Sequence, residues 1–224
     1  VLLLALDTSA AATVALLRDD VVVGRFGSAD TRSHAEVLAP AVQGILADAG
    51  VPGADLDGIV AGVGPGPFTG LRAGLVTART LGFVWDVPLF GVLSLDALAF
   101  DAVAGEAVEA GSAFLVGTDA RRGEVYWAAY RAAGDALPEL LDGPHVGTAA
   151  SLPKDQPLAG RAASLYPDDL DGLPAFTTSD PDAASLARVA RLRLLAGEPL
   201  LDTAPLYLRE SDAKVPGPRK RATA

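Results

Sequence analysis

Cysteine is absent from this chain of 224 residues. That excludes disulfides and thiolate metal ligands, and it agrees with an expected cytoplasmic setting. Histidine is almost as scarce: His34 and His145 are the only two, too far apart in sequence to form a local ligand pair. Lysine occurs only at 154, 214 and 220, and the formal net charge is −10. That acidic balance argues against the chain gripping nucleic acid by itself. No apolar run approaches the roughly 20 residues of a membrane span. The opening apolar run reaches Asp7 without a basic leader, so neither membrane insertion nor a signal peptide is expected. What the chain does have is apolar content, with 50% hydrophobic residues and a mean hydropathy of +0.31. A well-packed globule follows, built as one large domain or two small lobes.

The most informative stretch is Gly62-Val-Gly-Pro-Gly-Pro-Phe-Thr-Gly-Leu-Arg-Ala-Gly74. It joins an apolar strand to a helical pattern, a geometry in which free backbone N–H groups often bind anions. The Walker pattern would need Gly-Lys-Ser/Thr where this chain reads Thr69-Gly70-Leu71. The dinucleotide pattern fails at its third glycine, where Thr69 stands. Pro65 and Pro67 remove two N–H donors. The loop therefore reads as built for shape, with Thr69 expected to cap the helix.

Periodicity predicts strands at 1–6, 13–17 and 21–26, with Asp19-Asp20 as a hairpin turn. A helix over 34–49 should start at a capping box made by Ser33 and Glu36. Strand 57–63, helix 70–85, strand 88–92 and a helix through Leu95 and Leu98 complete the order βββαβαβα. The second half begins again with apolar 113–118 ending at Asp119, then a turn and strand 124–130. Residues 134–180 show only weak periodicity. A helix over 181–196 and a short strand at 205–208 follow. We expect an N-terminal lobe at 1–102, a C-terminal lobe at 103–215 and a disordered basic tail at 216–224.

Five motifs run in order along the chain: Leu4-Ala-Leu-Asp-Thr-Ser9, Ser33-His-Ala-Glu36, Gly64-Pro-Gly-Pro-Phe-Thr-Gly-Leu-Arg72, Asp119-Ala-Arg-Arg-Gly-Glu-Val-Tyr126 and Pro205-Leu-Tyr-Leu-Arg209. In these the sequence resembles the TsaB (YeaZ) family. The resemblance implies a duplicated, two-lobed α/β fold of the actin/sugar-kinase/heat-shock-ATPase type. It also implies a non-catalytic role in tRNA threonylcarbamoyladenosine modification, beside a TsaD-like transferase and a TsaE-like ATPase. A homodimer is expected when the chain is alone. No intrinsic cofactor is expected, with ATP or ADP met only at the complex interface and tRNA only indirectly through the complex. TsaD-type sequences carry paired metal histidines where this chain has Ser94 and Leu98, and a hydroxyl and an isobutyl group cannot replace two imidazoles.

The remaining candidates each have two readings. Asp7 with Ser9, and Asp119, stand where the superfamily wraps phosphate, yet such residues more often cap strand ends and turns. Asp86 has the spacing of a ribose-binding acid but precedes its strand, so a turn role is favoured. His34 beside Glu36 lacks any nucleophile elbow or zinc-helix pattern. Gly70, Gly74, Ala78 and Gly82 form a stripe of small residues every four positions, which implies a close backbone approach. Either packing on the chain's own sheet or a partner helix could supply it. The expected partner interface is Leu38, Val42, Ile45 and Leu46 on helix 34–49 with Gly70, Leu71, Gly74, Leu75 and Ala78 on helix 70–85. A small ATP-dependent, sugar-kinase-like phosphotransferase is the alternative function.

Overall fold

The structure is a computed structural model that describes residues 1–28, 34–134 and 137–209. Its first sheet contains β1 (Leu2–Asp7), β2 (Thr13–Arg18), β3 (Val21–Gly27), β4 (Gly58–Gly62) and β5 (Leu89–Val92), in the order β3-β2-β1-β4-β5. β1, β2 and β3 are antiparallel neighbours, whereas β4 and β5 run parallel to β1. Two-residue alternation sorts β1 between two cores. Leu4 and Leu6 face α1 (His34–Ala49) and α2 (Phe68–Trp85). Leu3 and Ala5 face α5 (Ala183–Ala196). Burial on both faces explains why β1 and β4 read as unbroken apolar runs.

The second sheet holds β6 (Ala113–Asp119), β7 (Glu124–Arg131), β8 (Glu139–Thr148) and β9 (Leu158–Ala159), in the order β8-β7-β6-β9. α3 (Ser94–Ala104) covers one face, packing Leu95, Leu98 and Ala102 against Phe114, Val116 and Tyr130. The short α4 (Ala162–Leu165) lies on the other face with Leu152 and Leu170.

The order βββαβαβα is observed, as are two mixed sheets with helices. The lobes are not contiguous in sequence, however. α3 from the first half packs on the second sheet, and α5 from the second half packs on the first. Assigning the whole of 103–215 to one lobe is therefore corrected. α3 and α5 also meet through a buried cluster. Tyr130 donates its hydroxyl to Asp96 at 2.8 Å, and Arg193 donates to the other carboxylate oxygen at 2.8 Å.

Local differences have simple causes. α2 begins at Phe68 after Pro67, with no side-chain cap. Thr69 thus lies within the first turn, two residues after Pro67, which stands at the N-cap in extended conformation. Asp86 ends α2 in a left-handed conformation, φ 55°, its N–H donating to the Gly82 carbonyl, which is the turn role. α5 starts one residue after Asp182, whose carboxylate accepts from the Ala184 N–H at 2.9 Å. Residues 205–208 form no strand, although the Leu206 N–H donates to the Val63 carbonyl at 2.8 Å. Ser33 of the expected capping box and the tail 216–224 lie outside the described residues.

Candidate functional site

Asp7 ends β1 and is 1% exposed. One of its carboxylate oxygens accepts from the Ser9 N–H at 2.8 Å and the Ser9 hydroxyl at 2.6 Å; the other accepts from the Ser94 hydroxyl at 2.6 Å. Ser94 Oγ in turn accepts from the Gly64 N–H at 3.2 Å. Burial raises the pKa of Asp7, opposed by these hydrogen bonds. Its lone pairs are directed into the crossing of β1, β4 and α3. A carbon on Gly62 would stand within van der Waals radius of that carboxylate, so glycine there is what lets Asp7 fit. Ser94 therefore ties Asp7 to the glycine loop, while Leu98 is fully buried under the second sheet. Both TsaD-type metal positions are committed to packing and hydrogen bonding. Among the described residues, no three His, Asp or Glu side chains come together as ligands.

The glycine-rich turn lies directly on the turn after β1. An added Cβ at Gly66 would fall 2.7 Å from Ser9 Cα. The glycine-rich turn and the turn after β1 are thus in direct contact with each other. Asp119, at the end of β6, makes the equivalent turn, accepting from the Arg121 N–H at 2.7 Å and pairing with the Arg121 guanidinium at 3.0 Å.

Asp7 is thus sealed off, whereas Ser9 and Asp119 line a cleft of about 390 Å³ between the lobes. Arg121, Arg161 and Asp180 complete its polar wall. Arg161 donates from Nε to both oxygens of Asp180, at 2.9 and 2.8 Å. Each arginine already has a carboxylate, so the cleft offers paired charges rather than a preformed anion cradle.

The partner surface expected on α1 and α2 needs correction. Leu38, Val42, Ile45 and Leu46 are buried, as are Gly70, Leu71, Gly74, Leu75 and Ala78. These side chains face the chain's own sheet. A Cβ on Gly74 would collide with Thr8 Oγ1 after β1, so the small-residue stripe exists for internal packing. A helix has one inward face, and here that face is fully used. The opposite face of α2 carries Val76, Phe83 and Val84, which are 59%, 88% and 65% exposed. On α1 the outward positions include Ala39, Gln43, Gly44 and Ala47. Motif reading could not separate the two faces, because α2 is apolar on both. Its signal was present in the spacing of Val76, Thr80, Phe83 and Val84.

Residues 28–166 match the family model described as TsaD, tRNA N6-adenosine threonylcarbamoyltransferase. An uncharacterized protein of Mycobacterium tuberculosis is 41% identical over 214 residues, covering 94% of this chain and 93% of its own length. The tRNA threonylcarbamoyladenosine biosynthesis protein TsaB of Bacillus subtilis is 31% identical over 231 residues, covering 95% of this chain and 96% of its own. Among solved structures, YeaZ from Pseudomonas aeruginosa superposes with a TM-score of 0.76 at 28% identity, over 92% of this chain and all of that one. The architecture, the five motifs and these likenesses agree, and the chain belongs to the TsaB (YeaZ) family, within the wider group that the TsaD model describes.

Proposed function

We propose that this chain is an accessory subunit in tRNA threonylcarbamoyladenosine formation, without chemistry of its own, that docks a TsaD-like transferase on the outer face of α2. The carrying observation is the ridge of Val76, Phe83 and Val84 on a helix whose other face is already packed. Isolated exposed apolar residues are ordinary, but a contiguous ridge on one helix marks an interaction surface. Beside it, α1 contributes short outward side chains, and an added Cβ on Gly44 would meet open space. A partner helix can approach closely there.

The lack of chemistry is supported by the engagement of Asp7, Ser94 and Leu98 in the fold. A sugar-kinase-like phosphotransferase would need a free carboxylate base facing the cleft; the Asp7 oxygens are turned inward to Ser9 and Ser94, and the cleft-lining Asp119 and Asp180 are paired with Arg121 and Arg161. A nucleotide in this reading is met only at the joint with the partner, and the work takes place in the cytoplasm beside a TsaE-like ATPase. Alone, the chain uses the same ridge to form a homodimer, since a twofold axis lets one patch cover itself.

Affinity capture of a TsaD-like protein from the same cell, by wild type and Phe83→Glu, tests the docking face. Loss of capture with an unchanged melting curve is the expected result. Capture retained by the folded variant would move the interface elsewhere.

A further inference from the structure

The outer face of α2 alternates guanidinium groups with apolar side chains. Arg72, Val76, Arg79 and Phe83 follow one another at spacings of four, three and four residues, which places them on one side of the helix. All four are exposed. Both arginines are held in place by neutral groups on the strap of residues 200–209, which bridges to β5 at Gly91 through Leu201. Arg79 donates from Nε to the Thr203 hydroxyl at 3.1 Å and from a terminal nitrogen to the Thr203 carbonyl at 2.7 Å. Arg72 donates from Nε to the Tyr207 hydroxyl at 3.1 Å while its guanidinium sits 3.8 Å over the Phe68 ring.

Neither charge is compensated. Among the described residues, no carboxylate pairs with Arg72 or Arg79. Nor does any hydrogen bond there engage a terminal nitrogen of Arg72 or the second terminal nitrogen of Arg79. Carboxylates are not in short supply, with 28 acids against 18 Lys and Arg. Arg25, Arg121, Arg161, Arg193 and Arg209 each reach one. Asp202, next to Thr203 in the strap, turns its carboxylate to the Ala204 N–H at 2.8 Å instead, and α2 itself contains no acid. Two oriented, unneutralised cations thus interrupt the apolar ridge of a chain whose net charge is −10. Such a patch selects a partner of opposite sign.

Resting on the reading that a TsaD-like protein docks on this face, we infer that the partner presents a helix carrying two carboxylates among apolar side chains, one for Arg72 and one for Arg79. Seven helical residues separate the arginines by about 10 Å along the axis, so the two carboxylates stand about two turns apart. A second copy of this chain complements the face less well, since its α2 brings the same two cations and no acid. A nucleic acid does too, because the apolar Val76 lies between the arginines.

The test is calorimetric titration of the full chain with the TsaD-like protein of the same cell, between about 0.05 and 0.5 M salt. Wild type is compared with Arg72→Gln/Arg79→Gln and with Arg72→Lys/Arg79→Lys, melting curves reporting on the fold. The Gln pair is expected to weaken the complex about tenfold at low salt and to lose most of its salt dependence. The Lys pair keeps the charge without the planar fork, and is expected to retain most of both. Equal losses in the Gln and Lys pairs overturn the inference, because anchoring of the strap would then be what the arginines supply. Unchanged affinity and salt dependence in a folded Gln pair also overturn it, and leave the docking reading standing. Light scattering of the chain alone covers the second copy: self-association that falls with salt as steeply as the complex would assign these charges to a homodimer and overturn the acidic partner. Absence of binding by wild type contradicts the docking reading, and this inference with it.

Discussion

Asp101 on α3 accepts from the Ser185 hydroxyl of α5 at 2.5 Å, and burial raises its pKa to about 6. Because the folded state holds that proton more tightly than the unfolded chain, the associated stability is fully present below about pH 4. It is lost as pH rises through about 6. Asp101→Asn removes the titration and keeps a polar partner for Ser185. Melting curves of both proteins between pH 4 and 7.5 should show the wild type losing ground to the variant as pH rises. Parallel curves would contradict the assignment. Gly74 is the second informative residue. A side chain there meets Thr8 Oγ1, so Gly74→Leu is expected to lower stability by about 1–3 kcal/mol through overpacking. Chemical denaturation measures it, and an unchanged midpoint would return the glycine stripe to the surface.

At the scale of elements, α2 shows both what could be read from sequence and what could not. Its existence, length and glycine stripe are plain in the residues, because a period near four over 18 positions has few other meanings. Its inward face is not, because leucines and glycines at helical spacing look the same whether the neighbour is a sheet or another molecule. Leu75 and Val76 make the contrast measurable: one is 3% exposed, the next 59%. Leu75→Glu should unfold the protein, whereas Val76→Glu should melt like wild type and fail to associate. Equal melting temperatures for the two would remove the distinction between faces. Residues 134–180 stayed opaque for another reason. β8 pairs with β7 through register shifts around Ala129, β9 has two residues and α4 has four. No periodicity survives in pieces as short as β9 and α4, and the ten residues of β8 include no buried position, so no apolar alternation marks it. Asp7 and Asp119 were legible as strand-end turns, but the Ser94 bridge joins residues 87 positions apart, a link no local pattern reveals.

For the whole molecule, the exchange of α3 and α5 between sheets makes the two lobes one cooperative unit. Asp96, Tyr130 and Arg193 bind α3, β7 and α5 together, with the Asp96 side chain 5% exposed. Removing one partner of a buried ion pair strands the other, so Asp96→Ala should cost about 3–5 kcal/mol. Urea unfolding should stay a single transition at a lower midpoint; two separate transitions would show the lobes to be independent. That interlocked body combines an inward-turned Asp7 and touching turns with the outward ridge of α2. Its activity should therefore be visible only in company. The most direct measurement is threonylcarbamoyladenosine formation on tRNA by a reconstituted set of TsaD-like and TsaE-like proteins. This chain is omitted, added, or added as Phe83→Glu. Modification that requires the wild-type chain and is not restored by the folded variant is the result expected. Full modification without the chain, or restoration by Phe83→Glu, would contradict the account.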